Sequence, residues 1–201
     1  TCIGLASDVD VRHALPTTLL GLPLVMVRDG EGALRVFHNV CRHRGYQLVP
    51  EPCKLRGALR CPYHSWAYGL DGTLNTTPHF GGSGIHEVEG FDKSAHGLNV
   101  VRSTEWLGLV FVNLSGDAPS FEDHIAPLQA RWEKFVGPGG FDLLRPAATG
   151  GRMELTVQSN WKLPVENYCE SYHLPWIHPG LNTYSKLEDH YHIMEGDVGA
   201  G

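Results

Sequence analysis

The sequence predicts an α+β chain: a β-rich unit first, then a unit that opens with helices and continues as helix plus sheet. Three observations predict it. Gly 24 and Pro 13 in 201 residues mark many turns, as in β-rich proteins. Apolar strand-like runs dominate the first forty residues and return at Trp106–Leu114. A capped helical period appears only after Asp117-Ala118-Pro119, a boundary signal, so the expected division is 1–117 and 118–201.

Within the first unit, Leu24–Arg28 is an apolar run and Asp29-Gly30-Glu31-Gly32 is a turn. Leu34–His38 is a returning strand, which makes a hairpin that leads directly into Cys41. Leu55–Arg60 and Ser65–Tyr68 read as strands, and Leu70-Asp71-Gly72-Thr73 as a tight turn. Thr76–Ser94, rich in Gly and Pro, is a long connection, and Trp106–Leu114 (WLGLVFVNL) is a closing strand. In the second unit Ser120 with Asp123 is a capping signature. Phe121, Ile125, Leu128, Trp132 and Phe135 recur at helical spacing, so Ser120–Val136 is a helix whose aromatic stripe is core. Gly137-Pro138-Gly139-Gly140 ends it, and Met153–Gln158 alternates like a strand. Pro164 fits a first helical turn, after which Val165–His173 has no breaker until Pro175.

Composition removes several classes of function. A formal charge of −6 leaves no electrostatic footprint for nucleic acid or an anionic membrane, and neither partner is expected. The longest apolar stretch, Ala14–Val27, is short of a membrane span and contains Pro16 and Pro23; no signal peptide is visible. The cysteines number five, and Cys2, Cys53 and Cys169 show no framework spacing, which points to a reducing cytoplasmic compartment. The chain starts at Thr1 and stops at GDVGAG after a run that still reads as structured, and is expected to be a fragment.

The chemistry concentrates first between Cys41 and His64. CRHRG and CPYH each carry one cysteine and one histidine, so each loop can bring one thiolate and one imidazole to a shared centre. A Rieske [2Fe-2S] centre needs this, with two cysteines on one iron and two histidines on the other. Cys41 and Cys61 would take the first iron, His43 and His64 the second. A structural zinc site is the competing reading, since two Cys and two His also close a tetrahedron. Zinc fingers, however, usually pair Cys with Cys and His with His within each half. Gly45 and Pro62 stand where the backbone bends, and backbone N–H groups there could bond cluster sulfurs; ordinary turn chemistry explains the two residues equally well.

CRHRG and CPYHSW resemble the Rieske domain of the non-haem iron ring-hydroxylating oxygenases. Respiratory-type Rieske proteins carry a further cysteine in each loop, joined as a disulfide; Tyr46 and Tyr63 stand at those positions, which favours the oxygenase type. Ser65 stands where this family most often has glycine, and its hydroxyl could face the cluster or solvent.

The second constellation is NWKLPVENYCESYHLPWIHP, Asn160–Pro179. On a helix, Glu166, Asn167, Glu170 and His173 would share one face. A solvated surface is the plain reading of that face, and Trp161, Tyr168, Tyr172 and Trp176 make the stretch too aromatic for it. His178 follows past Pro175, which could swing its imidazole back toward His173. Two histidines with one carboxylate make the facial triad of Fe(II) oxygenases. NWK, ENYCE and the two histidines resemble the same family's mononuclear iron motif, with His173 and His178 as ligands. The resemblance implies an aspartate as third ligand much further along a family chain; Glu188, Asp189, Glu195 and Asp197 do not stand at that position. It also implies catalytic roles for Glu170 and Asn167. Ring dioxygenases have aspartate where Glu170 stands, bridging the iron histidine to a cluster histidine of the neighbouring subunit. Glutamate is found there in relatives that oxidise carnitine or glycine betaine.

The resemblance therefore implies the terminal oxygenase of a multicomponent system. It would use O2 and electrons from NAD(P)H, delivered by a reductase or ferredoxin, to hydroxylate or oxidatively demethylate a small aromatic or quaternary ammonium substrate. It implies a Rieske [2Fe-2S] cluster, a mononuclear Fe(II), and a ring-shaped homo-oligomer, a trimer. The rival readings are a non-catalytic Rieske electron carrier, which leaves Asn160–Pro179 without a purpose, and a zinc-stabilised binding module.

Overall fold

The computed structural model describes residues 1–145, 153–191, 193–195 and 198–200, with side chains given up to residue 191. The chain forms two compact units, Thr1–Ala118 and Pro119–Gly201. In the first, strands β1 (Cys2–Leu5), β2 (His13–Leu19), β3 (Leu22–Arg28), β4 (Leu34–His38), β5 (Cys53–Lys54), β9 (Val100–Trp106) and β10 (Leu109–Asn113) form one antiparallel sheet. Its order is β1-β10-β9-β4-β3-β2-β5. A second, three-stranded sheet holds β6 (Leu59–Arg60), β7 (Ala67–Tyr68) and β8 (Leu74–Thr76).

The interior strand β3 is apolar on both faces because both faces are covered. Val25 and Val27 point, with Phe37, into a core that also contains Cys41, Leu59, Cys61, Trp66 and Tyr68. Leu24 and Met26 point the other way, into a core with Val36, Val101, Val110 and Val112. The period of two along the strand thus divides the unit into two cores, and the cluster loops grow out of the first. At the rim of that core Gly72 has φ +90°, and a Cβ there would stand 2.6 Å from the Phe37 ring, so both backbone and space require glycine.

Several expected elements are re-divided. Leu55–Arg60 is not one strand: β5 ends at Lys54, Gly57 turns with φ +95°, and β6 starts at Leu59 in the other sheet. The strand expected from Ser65 begins at Ala67, because Ser65 takes a left-handed φ of +59° that a strand excludes. Trp106–Leu114 contains the expected closing strand as β10 (Leu109–Asn113), but its start is a hairpin corner. Leu107 and Gly108 both have positive φ, the requirement of a tight hairpin turn, and join β10 to β9, which the sequence reading missed. Leu20-Gly21 makes the same kind of turn between β2 and β3, inside the long apolar stretch.

In the second unit α1 (Phe121–Val136) starts at Ser120, whose hydroxyl accepts the Asp123 N–H at 3.0 Å. It ends at Gly137, with φ +77°. Its stripe is not core: no residue of α1 is buried, Phe135 is 76% exposed, and Trp132 stacks on Phe141 at 5.9 Å. Met153–Gln158 alternates but forms no strand among the described residues, with Met153, Leu155 and Val157 exposed; an alternating run needs a hydrogen-bonding neighbour. The expected helix through His173 is two helices, α2 (Lys162–Cys169) and α3 (Leu174–Ile177), separated at Glu170. Pro175 does not break a helix; it sits in the first turn of α3, where its missing N–H costs nothing. β11 (Ile193–Glu195) and β12 (Val198–Ala200) pair as a hairpin. Among the described residues no helix is long and apolar enough to cross a membrane.

Candidate metal centres

The two cluster loops follow one backbone plan. In each, the cysteine N–H donates to the carbonyl five residues on, Cys41 to Tyr46 and Cys61 to Trp66, both at 2.8 Å. The N–H four residues on donates back to the cysteine carbonyl, from Gly45 and from Ser65, both at 2.9 Å. Closing a turn this tightly needs a left-handed residue at that fourth place, and Gly45 (φ +71°) and Ser65 (φ +59°) supply it. Asn39, fully buried, braces the first loop by donating to the Val49 carbonyl at 2.7 Å and accepting its N–H at 2.9 Å.

This plan buries both cysteines, each 2% exposed, as hydrogen-bonding neighbours. Burial pushes the Cys61 thiol up, opposed by the backbone N–H groups of His64 and Tyr63 and reinforced by Cys41. The imidazoles of His43 and His64 form a second pair, 4.7 Å apart at 71°. Among the described residues, the two buried side-chain nitrogens with no hydrogen-bond partner are His43 Nδ1 and His64 Nδ1. A buried polar nitrogen left without a partner costs about 1–3 kcal/mol, so each is a site that a ligand outside the polypeptide would satisfy. Thiol lies beside thiol and imidazole beside imidazole, the segregation that a two-iron cluster uses, one iron per pair. The donor set therefore fits a Rieske [2Fe-2S] group.

The surroundings of the two histidines differ. His43 stacks flat on Trp66 (4.7 Å, 11°), itself 2% exposed and flanked by Phe80 and Phe91. Burial, then His64 and Arg44, hold the His43 imidazole below its usual range. His64 lies instead against half-exposed Tyr63 at 3.8 Å.

Tyr68, fully buried, was missed by the sequence reading. The Arg42 N–H donates to its hydroxyl at 3.0 Å, and the hydroxyl shares a hydrogen bond with Cys41 Sγ at 3.2 Å, in which the phenol is the donor whenever Cys41 is a thiolate. Burial, then the contact with Cys41, push the phenol well above its usual value, so it stays a donor. A signal existed: Trp66 and Tyr68 are two residues apart beyond CPYH, the spacing of one face of an extended chain.

The second constellation closes around Glu170. Its backbone is extended (φ −110°, ψ 152°) because its carboxylate turns forward onto the next helix. One oxygen meets His173 Nδ1, and the other accepts the His173 N–H at 3.3 Å. Burial pushes the Glu170 carboxyl up, and the bonds from the His173 ring and backbone outweigh it and hold the group below its usual range. A neutral His173 that donates from Nδ1 to this carboxylate carries its lone pair on Nε2. The His178 ring lies 5.4 Å from that of His173, at 75°. Asn167, Glu170, His173, His178, Ser185 and His190 are among the residues lining an open cavity of about 380 Å3. His190, also unanticipated, bonds Ser185 Oγ through Nε2 at 2.9 Å. Glu188 contacts Lys186 at 3.4 Å; the Glu195 side chain and Asp197 lie outside the described residues. Among the described residues no three His, Cys, Asp or Glu gather as a site for one metal ion.

Comparison with known families and structures gives consistent matches. Residues 1–91 match the Rieske [2Fe-2S] domain, and residues 144–199 the ring-hydroxylating alpha subunit catalytic domain. The chain is 33% identical over 197 residues to the carnitine monooxygenase oxygenase subunit of Escherichia coli (strain K12), covering 98% of this chain and 50% of that one. It is 36% identical over 189 residues to the glycine betaine monooxygenase oxygenase subunit of Chromohalobacter salexigens, covering 93% and 40%. A solved quaternary ammonium Rieske monooxygenase superposes with a TM-score of 0.76 at 29% identity, over 96% of this chain and 51% of the other. A naphthalene 1,2-dioxygenase superposes at 0.69 with 25% identity, over 90% and 40%. The chain thus spans about half the length, or less, of the relatives it matches.

Proposed function

Because this chain belongs to the Rieske ring-hydroxylating oxygenase alpha subunits, we propose that its protein is the terminal oxygenase of a multicomponent system acting on a small quaternary ammonium substrate. Electrons come from NAD(P)H through a reductase or ferredoxin, and the working form is a homo-oligomer, a trimer, in the cytoplasm. Cys41, Cys61, His43 and His64 hold the [2Fe-2S] cluster, the histidines through the Nδ1 atoms that the fold leaves without partners. His173 through Nε2 and His178 hold the mononuclear iron. When bound, the two groups supply one-electron transfer and oxygen activation.

The observation that carries this reading is the lock of Glu170 onto His173. A carboxylate on Nδ1 fixes the tautomer and ring orientation of His173, which lines the cavity, and makes Nε2 a better donor. The carboxylate's hold on the His173 backbone also ends α2, so the turn that presents the metal histidine and the contact that orients it are one feature. Glutamate rather than aspartate at position 170 is what the family resemblance associates with oxidation of quaternary ammonium compounds, and relatives of that kind are among the chain's matches. Asn167 lines the cavity beside it.

The test uses the full-length protein with its reductase. Glu170→Ala should leave iron and sulfide content unchanged and abolish turnover of carnitine or glycine betaine, while Glu170→Asp keeps part of it. Loss of the mononuclear iron in Glu170→Ala with intact cluster reoxidation would sink the bridging role. Turnover of aromatic acids but of no quaternary amine would sink the substrate assignment.

A further inference from the structure

We infer that Tyr46 and Tyr63 form a non-covalent clamp that ties the two cluster loops together beside the histidine ligands; the inference rests on the cluster assignment proposed above. Tyr46 closes the first loop, since its carbonyl takes the Cys41 N–H. Tyr63 lies inside the second, between Cys61 and His64. Their rings meet across the loops, 5.6 Å apart at 45°. Tyr63 continues the contact onto His64 at 3.8 Å. The two rings are 49% and 55% exposed, so no surrounding core presses them together.

The roots of the loops are held by other means: Asn39 with Val49 under the first, and the β6–β7 pairing under the second. Tyr68 joins the loops on the cysteine side, through Cys41 and Arg42. The tyrosine pair joins them beside His64, on the side open to solvent. Tyr46 and Tyr63 occupy the two places where respiratory-type proteins carry their disulfide, and a ring contact ties the same points without a covalent bond. An aromatic pair contributes about 0.5–1.5 kcal/mol beyond its buried area, equivalent to roughly a two- to tenfold change in the rate at which the loops part.

The experiment follows loss of the cluster's visible absorbance from the full-length protein under a chelator. Tyr46→Ala and Tyr63→Ala should each lose the cluster about two- to tenfold faster than the parent. The double variant should be no faster than the faster single one, because both remove the same contact. Tyr46→Phe and Tyr63→Phe should stay near the parent rate, since the contact needs the ring and not the hydroxyl. Pulsed EPR of the reduced cluster should show one of the two imidazole nitrogen couplings altered in Tyr63→Ala and both retained in Tyr63→Phe. Should an alanine variant take up no cluster, Tyr46→Leu and Tyr63→Leu, which keep bulk without the ring contact, carry the same comparison. Additive losses in the double variant, phenylalanine variants as fast as alanine ones, or parent-like rates throughout would overturn the clamp alone. A parent protein with neither iron nor sulfide would overturn the cluster assignment with it.

Discussion

The loops Cys41–Tyr46 and Cys61–Trp66 share a backbone and differ in almost everything the backbone carries. Both close with the same two hydrogen bonds and the same left-handed fourth residue. Yet the histidine is second after the cysteine in one and third in the other. His43 stacks on buried Trp66, while His64 stands beside half-exposed Tyr63. Cys41 shares a hydrogen bond with the Tyr68 hydroxyl, whereas Cys61 is bounded by backbone N–H groups and Cys41. The difference teaches that the repeated turn only places four donors; the asymmetry of the centre comes from residues outside the turns.

The largest effects should come from erasing the shared part. His43→Ala or His64→Ala removes one of the two nitrogen ligands and should eliminate the Rieske EPR signal; His64→Cys should give either a ferredoxin-like spectrum or no cluster. A parent-like signal in either alanine variant would show that the loops do not hold the cluster as a pair.

Next in size is the asymmetry itself. Tyr68→Phe removes a hydrogen bond that favours the more negative, reduced cluster, so the potential should fall by about 20–60 mV, the one-electron equivalent of roughly 0.5–1.5 kcal/mol. The same change strands the Arg42 N–H and should lower unfolding stability by about 1 kcal/mol. Protein-film voltammetry and chemical denaturation check the two parts. An unchanged potential would place the Tyr68 proton elsewhere.

A reciprocal swap sharpens the shared backbone. Gly45→Ser should destabilise by about 1 kcal/mol, the strain of a left-handed L-residue; the nearest atom to the added Cβ is Val40 Cγ1 at 4.0 Å, so no clash adds to it. Ser65→Gly should stabilise by up to about 1 kcal/mol. Opposite shifts in thermal midpoint are expected, and a loss in both would show that the Ser65 side chain contributes more than its strain costs.

The smallest effect is acid sensitivity of the turns flanking the loops. The Arg35 guanidinium, 2.5 Å away, holds the Asp29 carboxyl below its usual value, against the pull of burial and with help from the Ala33 and Glu31 N–H groups. The Thr73 hydroxyl and N–H hold Asp71 down in the same way. Both folded-state values are depressed, so the stabilisation is fully present above the usual carboxyl value of 3.8 and is lost as pH falls through the lower folded values. Asp29→Asn and Asp71→Asn should each flatten part of that acid limb in denaturation curves taken from pH 5 downward.

What the sequence determined by itself is local. The cysteine and histidine of each loop lie within four residues of one another, so their spacing shows in the string, as do the Ser120 cap and the turn at Asp29. The pairing of β-rich and helical units was legible for the same reason, from periodicity and punctuation. Tertiary structure alone decided what lies far apart along the chain. Tyr68 reaches back across the second loop to Cys41, Trp66 stacks on His43, and β3 is covered on both faces. It also decided where local preference yields. Leu107 and Gly108 turn inside an apolar run where β9 and β10 pair, and α2 stops before Glu170, whose carboxylate meets both the ring and the backbone N–H of His173. The Tyr68 and Trp66 contacts lie outside any short window of the chain, whereas the last two are local, and there the string leaves open which of two competing local bonds the backbone takes.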